Sequence, residues 1–500
     1  MSGGPLRAAL AGLARGAPAR VFVLEGADPP DALDVLRLHD GLRLVDTPRS
    51  ATVLLVAGRL PEALYDAARR AHDGLAHPRA TVWWAREPLV AGPPFPEAAL
   101  VTSADGGASD EVAALAAILA LVQADLVRGA RASEPALLPN VDPAPWRGVG
   151  PYGQGGSGMT GGVPYGRPLT ERAPDRDGLE LDQLPVRVGP FFAPFPAGLV
   201  LDVKLQGDVV QEVALPGNAF ARAGEAGHGP DRHRAPQDRP PLLADVERAR
   251  ARHHLRWLAH ALRVHGLAAL ARRTLALSAS LARGLPAGVA GDAVALGRLL
   301  ERTRALAWAT ADVGATAPHL VAGRGLGPVA RAAGLQEDAR LDDPAYRAIG
   351  FQPVVAPVGG ASRGDARARW RQRLAEAVQS LDLAARAGAR RAGDGGAGVE
   401  GPRGPQPRDA GAPGPSAVLV ALLPDLLRDL EWGDAVTTVV SLDIDVREAA
   451  AGATPLAGPP APRTGGGMGG IGKVGGMGGA AGTGHGGGTH AHGSHAAEAT

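Results

Sequence analysis

Glycine and proline gather into runs in this chain, and those runs decide which parts of it can build a core. The 71 glycines and 44 prolines among 500 residues concentrate between blocks of regular apolar spacing. Segments 130–184, 217–241, 384–416 and 451–500 lose helical and strand periodicity, so they read as linkers, a polar insert and a low-complexity tail. Residues 1–19 read as an N-terminal helix or tail. A chain this long exceeds what one hydrophobic core serves, so two or more domains are expected.

The first regular block spans 20–129. Val21 to Leu24 and Thr52 to Ala57 are β-branched runs on either side of the helix-compatible stretch Asp31 to Leu38, which is a β-α-β signature. Pro61 to His72 has the proline start and apolar spacing of a helix, Ala80 to Trp84 offers a third strand, and Asp110 to Arg128 a closing helix. Helices alternating with strands predict a parallel, doubly wound α/β domain. The second block, 185–383, opens with the alternating LVLDVKLQGDVVQEVAL, a hairpin turning at Gln206-Gly207-Asp208, and continues from Leu242 as a helical bundle of Ala, Leu and Arg. Residues 417–450 read as one helix and a final apolar segment.

Composition excludes several classes of function. The 52 basic and 51 acidic side chains interleave to a net charge of +1, which leaves no footprint for nucleic acid. There is no cysteine, so disulfides, thiolate nucleophiles and cysteine-ligated clusters are out of reach, and only histidine or carboxylate could hold a metal. The N-terminus does not read as a signal peptide. The longest apolar run, Val112 to Val122, falls short of the roughly 20 residues of a spanning helix. No membrane span is expected.

Several stretches resemble a known family. From Gly41 to Trp84, a strand, a Thr-Pro-Arg turn, a second strand ending in Gly, a helix and Pro-Arg resemble the small, cluster-carrying subunit of respiratory complex I and [NiFe] hydrogenases. Val188 to Val213 is similar to the hairpin that opens their large, quinone-site subunit, and Glu247, Arg250, His254 and Leu255 fit one of its helices. The phrase from Gly325 to Leu383 carries the most specific match, through Gly327-Pro328, Arg331, Gly334, Pro344, Tyr346, Gly364-Asp365, Arg369, Arg373, Glu376 and Gln379-Ser380. Leu423-Pro424 and Asp434 to Asp443 are similar to the last helix and its Ser-Leu-Asp ending. The resemblance implies a small-subunit-like α/β domain fused to an α+β large-subunit-like domain of a hairpin and a bundle.

It also implies an NADH-quinone oxidoreductase-like or hydrogenase-like assembly, with its other subunits as partners and a cytoplasmic location at the membrane face through them. Its chemistry is not carried over. Where the family's cluster cysteines fall, this chain has Glu25-Gly26-Ala27-Asp28-Pro29, Ala85-Arg86-Glu87 and Ser103-Ala104-Asp105, and Phe192 stands at the quinone-binding histidine. The expectation is a degenerate, structural subunit that is not catalytic by itself, with no catalytic or cofactor-binding residue and no quinone or NAD ligand set.

Other motifs weigh less. Gly153-x-Gly155-x-x-Gly158 lacks the strand and helix that a dinucleotide fingerprint needs, and Gly467 to Lys473 is followed by Val474 where a phosphate loop has Ser or Thr. His485, His490, His492 and His495 in the tail could chelate Ni²⁺, Zn²⁺ or Cu²⁺, which gives the alternative reading of a metal-handling or assembly factor. His253 and His254 are adjacent on a helix, so one is expected exposed and the other buried, in packing or hydrogen-bonding roles. Arg369 and Arg373, one turn apart, are expected to pair with Asp365 or Glu376. Trp83-Trp84 reads as sheet core plus interface.

Overall fold

A computed structural model of the chain describes residues 9, 12–13, 16–87, 90, 92–103, 108–140, 171–175, 177–221, 240–355, 364–392, 400–406 and 412–458. All of these belong to one compact unit. Its N-terminal part is a five-stranded parallel α/β sheet and its C-terminal part is mainly helical.

The sheet runs β1 Ala19–Glu25, β2 Leu42–Leu44, β3 Val53–Ala57, β4 Ala80–Ala85 and β5 Ala99–Thr102, in spatial order β2-β1-β3-β4-β5. β3 and β4 are buried along their whole length, as continuous apolar strands between two helical layers should be. Strand alternation sorts their side chains. Val53, Leu55 and Val82 face α1 Leu33–Leu36 and α3 Ala108–Arg128, whereas Leu54, Val56 and Trp83 face α2 Tyr65–Asp73. Both faces are covered, so the sheet is doubly wound. β2 and β5 are short edge strands that the apolar pattern did not single out. Trp84 is fully buried, and Trp83 donates from its indole to the Gly58 carbonyl at 2.9 Å.

Residues just beyond α3 are built into this domain, which differs from the linker expected there. The buried Glu134 carboxylate accepts from Thr81 N (2.8 Å) and Thr81 Oγ1 (2.7 Å) and meets His72 Nε2 at 3.1 Å. The Arg79 guanidinium donates to the carbonyls of Glu134 and His72 at 3.2 Å. A polar clasp of this kind leaves no trace in hydrophobic periodicity.

The second sheet is antiparallel: β6 Arg172–Pro174, β7 Glu180–Val188, β8 Leu201–Gln206 and β9 Val209–Ala214. The β8–β9 turn falls at Gly207-Asp208, as read from the sequence, with Gly207 at φ +62°. β7 starts ahead of Pro185 because its first half pairs through backbone while Leu181 and Leu184 stay exposed.

The bundle is centred on α4 Leu243–Val264 and α11 Ala366–Arg386, with α5 Ala268–Ser280 and α6 Val289–Thr303 packed beside them. Between α6 and α11 lie the short helices α7 Ala305–Thr310, α8 Pro318–Val321, α9 Pro328–Ala332 and α10 Pro344–Ala348. Trp257 and Trp370 meet edge-on at 5.6 Å where α4 crosses α11. The C-terminal segment forms two helices rather than one, α12 Pro415–Leu427 and α13 Trp432–Leu442, split at Asp429, which takes φ +65°. Residues 400–406 and 451–458, expected as linker and tail, also pack: Glu400 is buried, and Leu456 N donates to Asn218 O at 3.1 Å. Among the described residues, no helix is long and apolar enough to cross a membrane.

Candidate functional site

Helix α4 presents two polar faces because its histidines and arginines recur at helical spacing. Glu247, Arg250 and His254 share the face turned into the bundle. His253, Arg256, His260 and Arg263 share the face that looks toward the carboxyl ends of β1 and β2. Between that face and the sheet lies a cleft of about 590 Å³. The strand order reverses between β1 and β3, and in open α/β sheets the crevice beyond such a switch point is where ligands bind.

Arginine–carboxylate pairs join the two halves across this cleft. Arg256 Nη1 reaches Asp34 Oδ2 at 2.8 Å, Arg272 Nη2 reaches Asp40 Oδ1 at 2.6 Å, and Arg263 pairs with Asp46. Arg447 donates to the Gly26 carbonyl at 2.8 Å and meets Glu25 Oε2 at 3.2 Å. In each pair the helical half supplies the cation and the sheet half the anion. Such partly exposed pairs contribute about 0–1 kcal/mol each, so they fix orientation more than they add stability.

One wall of the cleft is the loop Pro190 to Ala197. Phe192 stacks edge-on against Phe195 with centroids 5.0 Å apart, and both approach Trp432. This wall is therefore aromatic, and it abuts the basic helix face. His260 Nε2 sits 3.0 Å from the Pro194 carbonyl and Nδ1 3.3 Å from Arg263 Nη2, which places the ring proton on Nε2. Burial, then the Arg263 charge, lowers His260 to about 4, so the ring is neutral at physiological pH.

At the cleft floor His253 Nε2 lies 2.7 Å from Asp443 Oδ2, which also meets Arg373 Nη1 at 2.9 Å. Burial brings His253 down to about 3 despite Asp443, with Arg403 adding to the effect. Burial by itself would push the Asp443 carboxyl up, but the surrounding His253, Arg373 and Arg403 hold it well below the usual range. The resulting state is a neutral imidazole donating to an ionised carboxylate.

Behind the floor a buried ion network runs through the bundle. Arg331 makes a two-pronged contact with Glu376 and also reaches Glu400 Oε1 at 3.2 Å and Asp338 Oδ2 at 3.0 Å. Arg340 grips Asp338 at 2.7 Å, and Glu247 binds Arg250 at 3.3 Å and the Tyr346 hydroxyl. Burial raises Glu400 above the usual carboxylate range; burial also pushes Glu376 up, but Arg331 and His254 together hold it low. This interior is mostly closed pairs, not an acid and a base poised for proton transfer.

The structure relocates several residues singled out in the sequence. His254 is buried, and His253 is only partly exposed, because Asp443 covers that side of α4. Arg373 pairs with Asp443, and Glu376 takes Arg331 instead. Arg369 is held by Ser441 Oγ (2.8 Å), Thr316 Oγ1 (2.9 Å) and the Gly314 carbonyl (3.0 Å), while Asp365 caps α11 through Ala368 N. Glu25 and Gly26, in the first cluster-ligand region of the resemblance, form the Arg447 joint. A Cβ at Gly26 would stand 2.2 Å from the Arg59 carbonyl, so that turn is closed by backbone.

His485, His490, His492 and His495 lie outside the described residues, as do Gly153 to Gly158 and Gly467 to Lys473. Among the described residues, no group of three His, Asp or Glu side chains could hold a metal ion. The cleft arginines went unnoticed because interleaved charge on a helix looks the same whether it faces solvent or a second domain.

No family model matches the chain, and no curated protein matches it in sequence. Among solved structures, it is similar to a chain of the membrane-bound sulfane sulfur reductase, an archaeal respiratory membrane complex. That similarity has 15% identity and a TM-score of 0.37, covering 54% of this chain and 98% of the other.

Proposed function

We propose that this chain is a scaffold subunit of a membrane assembly related to complex I and membrane hydrogenases, fusing small-subunit-like and large-subunit-like parts without an electron path of its own. The observation that carries this reading is the Arg447 joint at Glu25 and Gly26. The strand end that aligns with a cluster-ligand region of the family is occupied by an arginine clamp between the two halves. The chain has no thiolate to offer a cluster. The glycines and buried arginines that carry the resemblance from Gly325 to Leu383 serve packing: Arg331, Arg369 and Arg373 are all inside ion or carbonyl networks.

The test is analytical. Chain purified from cells that assemble iron-sulfur proteins should carry neither iron nor visible charge-transfer absorbance, and should not reduce a soluble quinone. Bound cluster or quinone reduction by the chain alone would overturn the reading. The alternative, metal handling through His485, His490, His492 and His495, predicts Ni²⁺ binding by calorimetry that vanishes when residues 484–500 are removed.

A further inference from the structure

His72 closes the polar clasp of the α/β domain with both of its ring nitrogens. It sits in the last turn of α2 and is buried, as are Glu134 and Arg79. Nδ1 lies 2.9 Å from Asp73 Oδ1, and Nε2 lies 3.1 Å from Glu134 Oε2. Both partners are carboxylate oxygens, and an ionised carboxylate only accepts hydrogen bonds. A neutral imidazole has one N–H, so it would donate to one carboxylate and turn a lone pair on the other. Both contacts are hydrogen bonds when the ring carries two protons.

The two carboxylates are themselves held in the charged form. Burial pushes Glu134 up, but His72 and Thr81 keep it below the usual range. Burial opposes Asp73 in the same way, and the Leu137 amide, His72 and the Leu138 amide outweigh it. Two further charges reach the clasp, from β4 and from the stretch after α3. Arg79 Nη2 lies 3.3 Å from Asp73 Oδ1, and Arg131 Nη2 lies 3.3 Å from Glu134 Oε1. Phe95 approaches the ring with centroids 5.9 Å apart and brings no charge. A cation in the last turn of a helix is also favoured by the helix dipole.

The stretch after α3 depends on these groups for its place. Glu134 N donates to the Arg79 carbonyl at 3.0 Å, and Ser133 Oγ accepts from Arg79 N at 3.1 Å. Leu137 N and Leu138 N donate to the Asp73 carboxylate at 3.0 and 2.9 Å. His72 stands between the carboxylate that this stretch brings and the carboxylate that receives its amides.

We propose that His72 is a proton-operated latch: as an imidazolium it ties Glu134 to Asp73 and pins residues 133–138 to the α/β domain, and loss of its proton as pH rises loosens that stretch. The direction follows from linkage, because a proton bound through partners of the folded state stabilises their contact at low pH and ceases to do so as pH rises. It is opposite to that of His253 and His260, which the fold keeps neutral. The latch goes beyond the scaffold reading and does not depend on it.

The full chain, labelled with ¹⁵N in its histidines, is followed by NMR from pH 6 to pH 9, with His72→Gln assigning the signal. Both ring nitrogens of His72 should be protonated at pH 6, and one should lose its proton by pH 9. Amide exchange is measured over the same range and corrected for its intrinsic pH dependence. Protection of Glu134 and Leu137 should fall at least tenfold, while Leu55 in β3 keeps its protection. His72→Gln has no proton to lose, so its Glu134 and Leu137 should be weakly protected at both ends of the range. His77→Gln, which removes the exposed contact between His77 and Ser133, should retain the fall. A neutral His72 ring at pH 6, protection that does not change with pH, or an unaltered fall in His72→Gln would each overturn the proposal.

Discussion

Arg331 Nε donates to Glu376 Oε1 at 2.8 Å and Arg331 Nη2 to Glu376 Oε2 at 3.1 Å, with both side chains fully buried between α9 and α11. The pair is the hub of the interior network, because Asp338 and Glu400 converge on the same guanidinium. Glu376→Ala removes one partner and leaves His254 and Arg331 facing a void. A broken buried pair typically costs about 3–5 kcal/mol. Urea denaturation should show a loss of that size, and a loss below about 1 kcal/mol would contradict the role given to the pair.

Stability should fall as pH drops from about 6.5 toward 4. His253 and His260 stay neutral in the folded protein down to about 3 and about 4, whereas an unfolded histidine takes a proton near 6.5. Below 6.5 the unfolded chain therefore binds more protons, and the stability present above that pH is lost as the folded values are approached. His260 alone accounts for about 2–3 kcal/mol. Asp443 and Glu376, both held low, extend the loss into more acidic solution. Urea midpoints from pH 8 to pH 4 check this, and His260→Gln should flatten the profile.

The joint between the halves should respond to salt and to single arginines. Arg447 combines two donated bonds with a guanidinium 5.2 Å from the Phe220 ring centroid. Arg447→Ala should cost about 1–2 kcal/mol, more than Arg272→Ala, whose pair with Asp40 is largely exposed. Hydrogen exchange should show faster opening of Glu25 to Gly26 in Arg447→Ala, and in the parent at high salt.

Gly364 is required by a close approach of backbone. It takes φ +74°, and a Cβ there would stand 2.3 Å from the Thr316 carbonyl. Thr316 N in turn donates to the Gly364 carbonyl at 3.0 Å, and Asp365 caps the helix that follows. Gly364→Ala should destabilise by about 1–3 kcal/mol in thermal unfolding, with Gly334→Ala, which meets nothing within 4 Å, losing less.

Where apolar spacing carried the structure, the sequence was readable. Val53 to Ala57 and Ala80 to Ala85 announce buried parallel strands, and Gly207 announces the hairpin turn. The Gly364-Asp365 pair, noticed as part of a resemblance, has a physical reason in the Thr316 contact and the cap. What escaped was polar or paired through backbone alone: the Glu134 clasp, the first half of β7 and the split between α12 and α13 at Asp429. The site was the least legible part. Nothing in Arg256 or Arg447 as letters says that each faces an acid, 222 and 422 residues away.

The scaffold account is tested most directly by asking where the chain resides in its own cells. Membranes are solubilised gently and resolved on a native gel, and the chain is followed by antibody. The account predicts migration in a multi-subunit complex together with integral membrane proteins. Migration alone at its own 50.7 kDa, in the absence of any membrane partner, would contradict it.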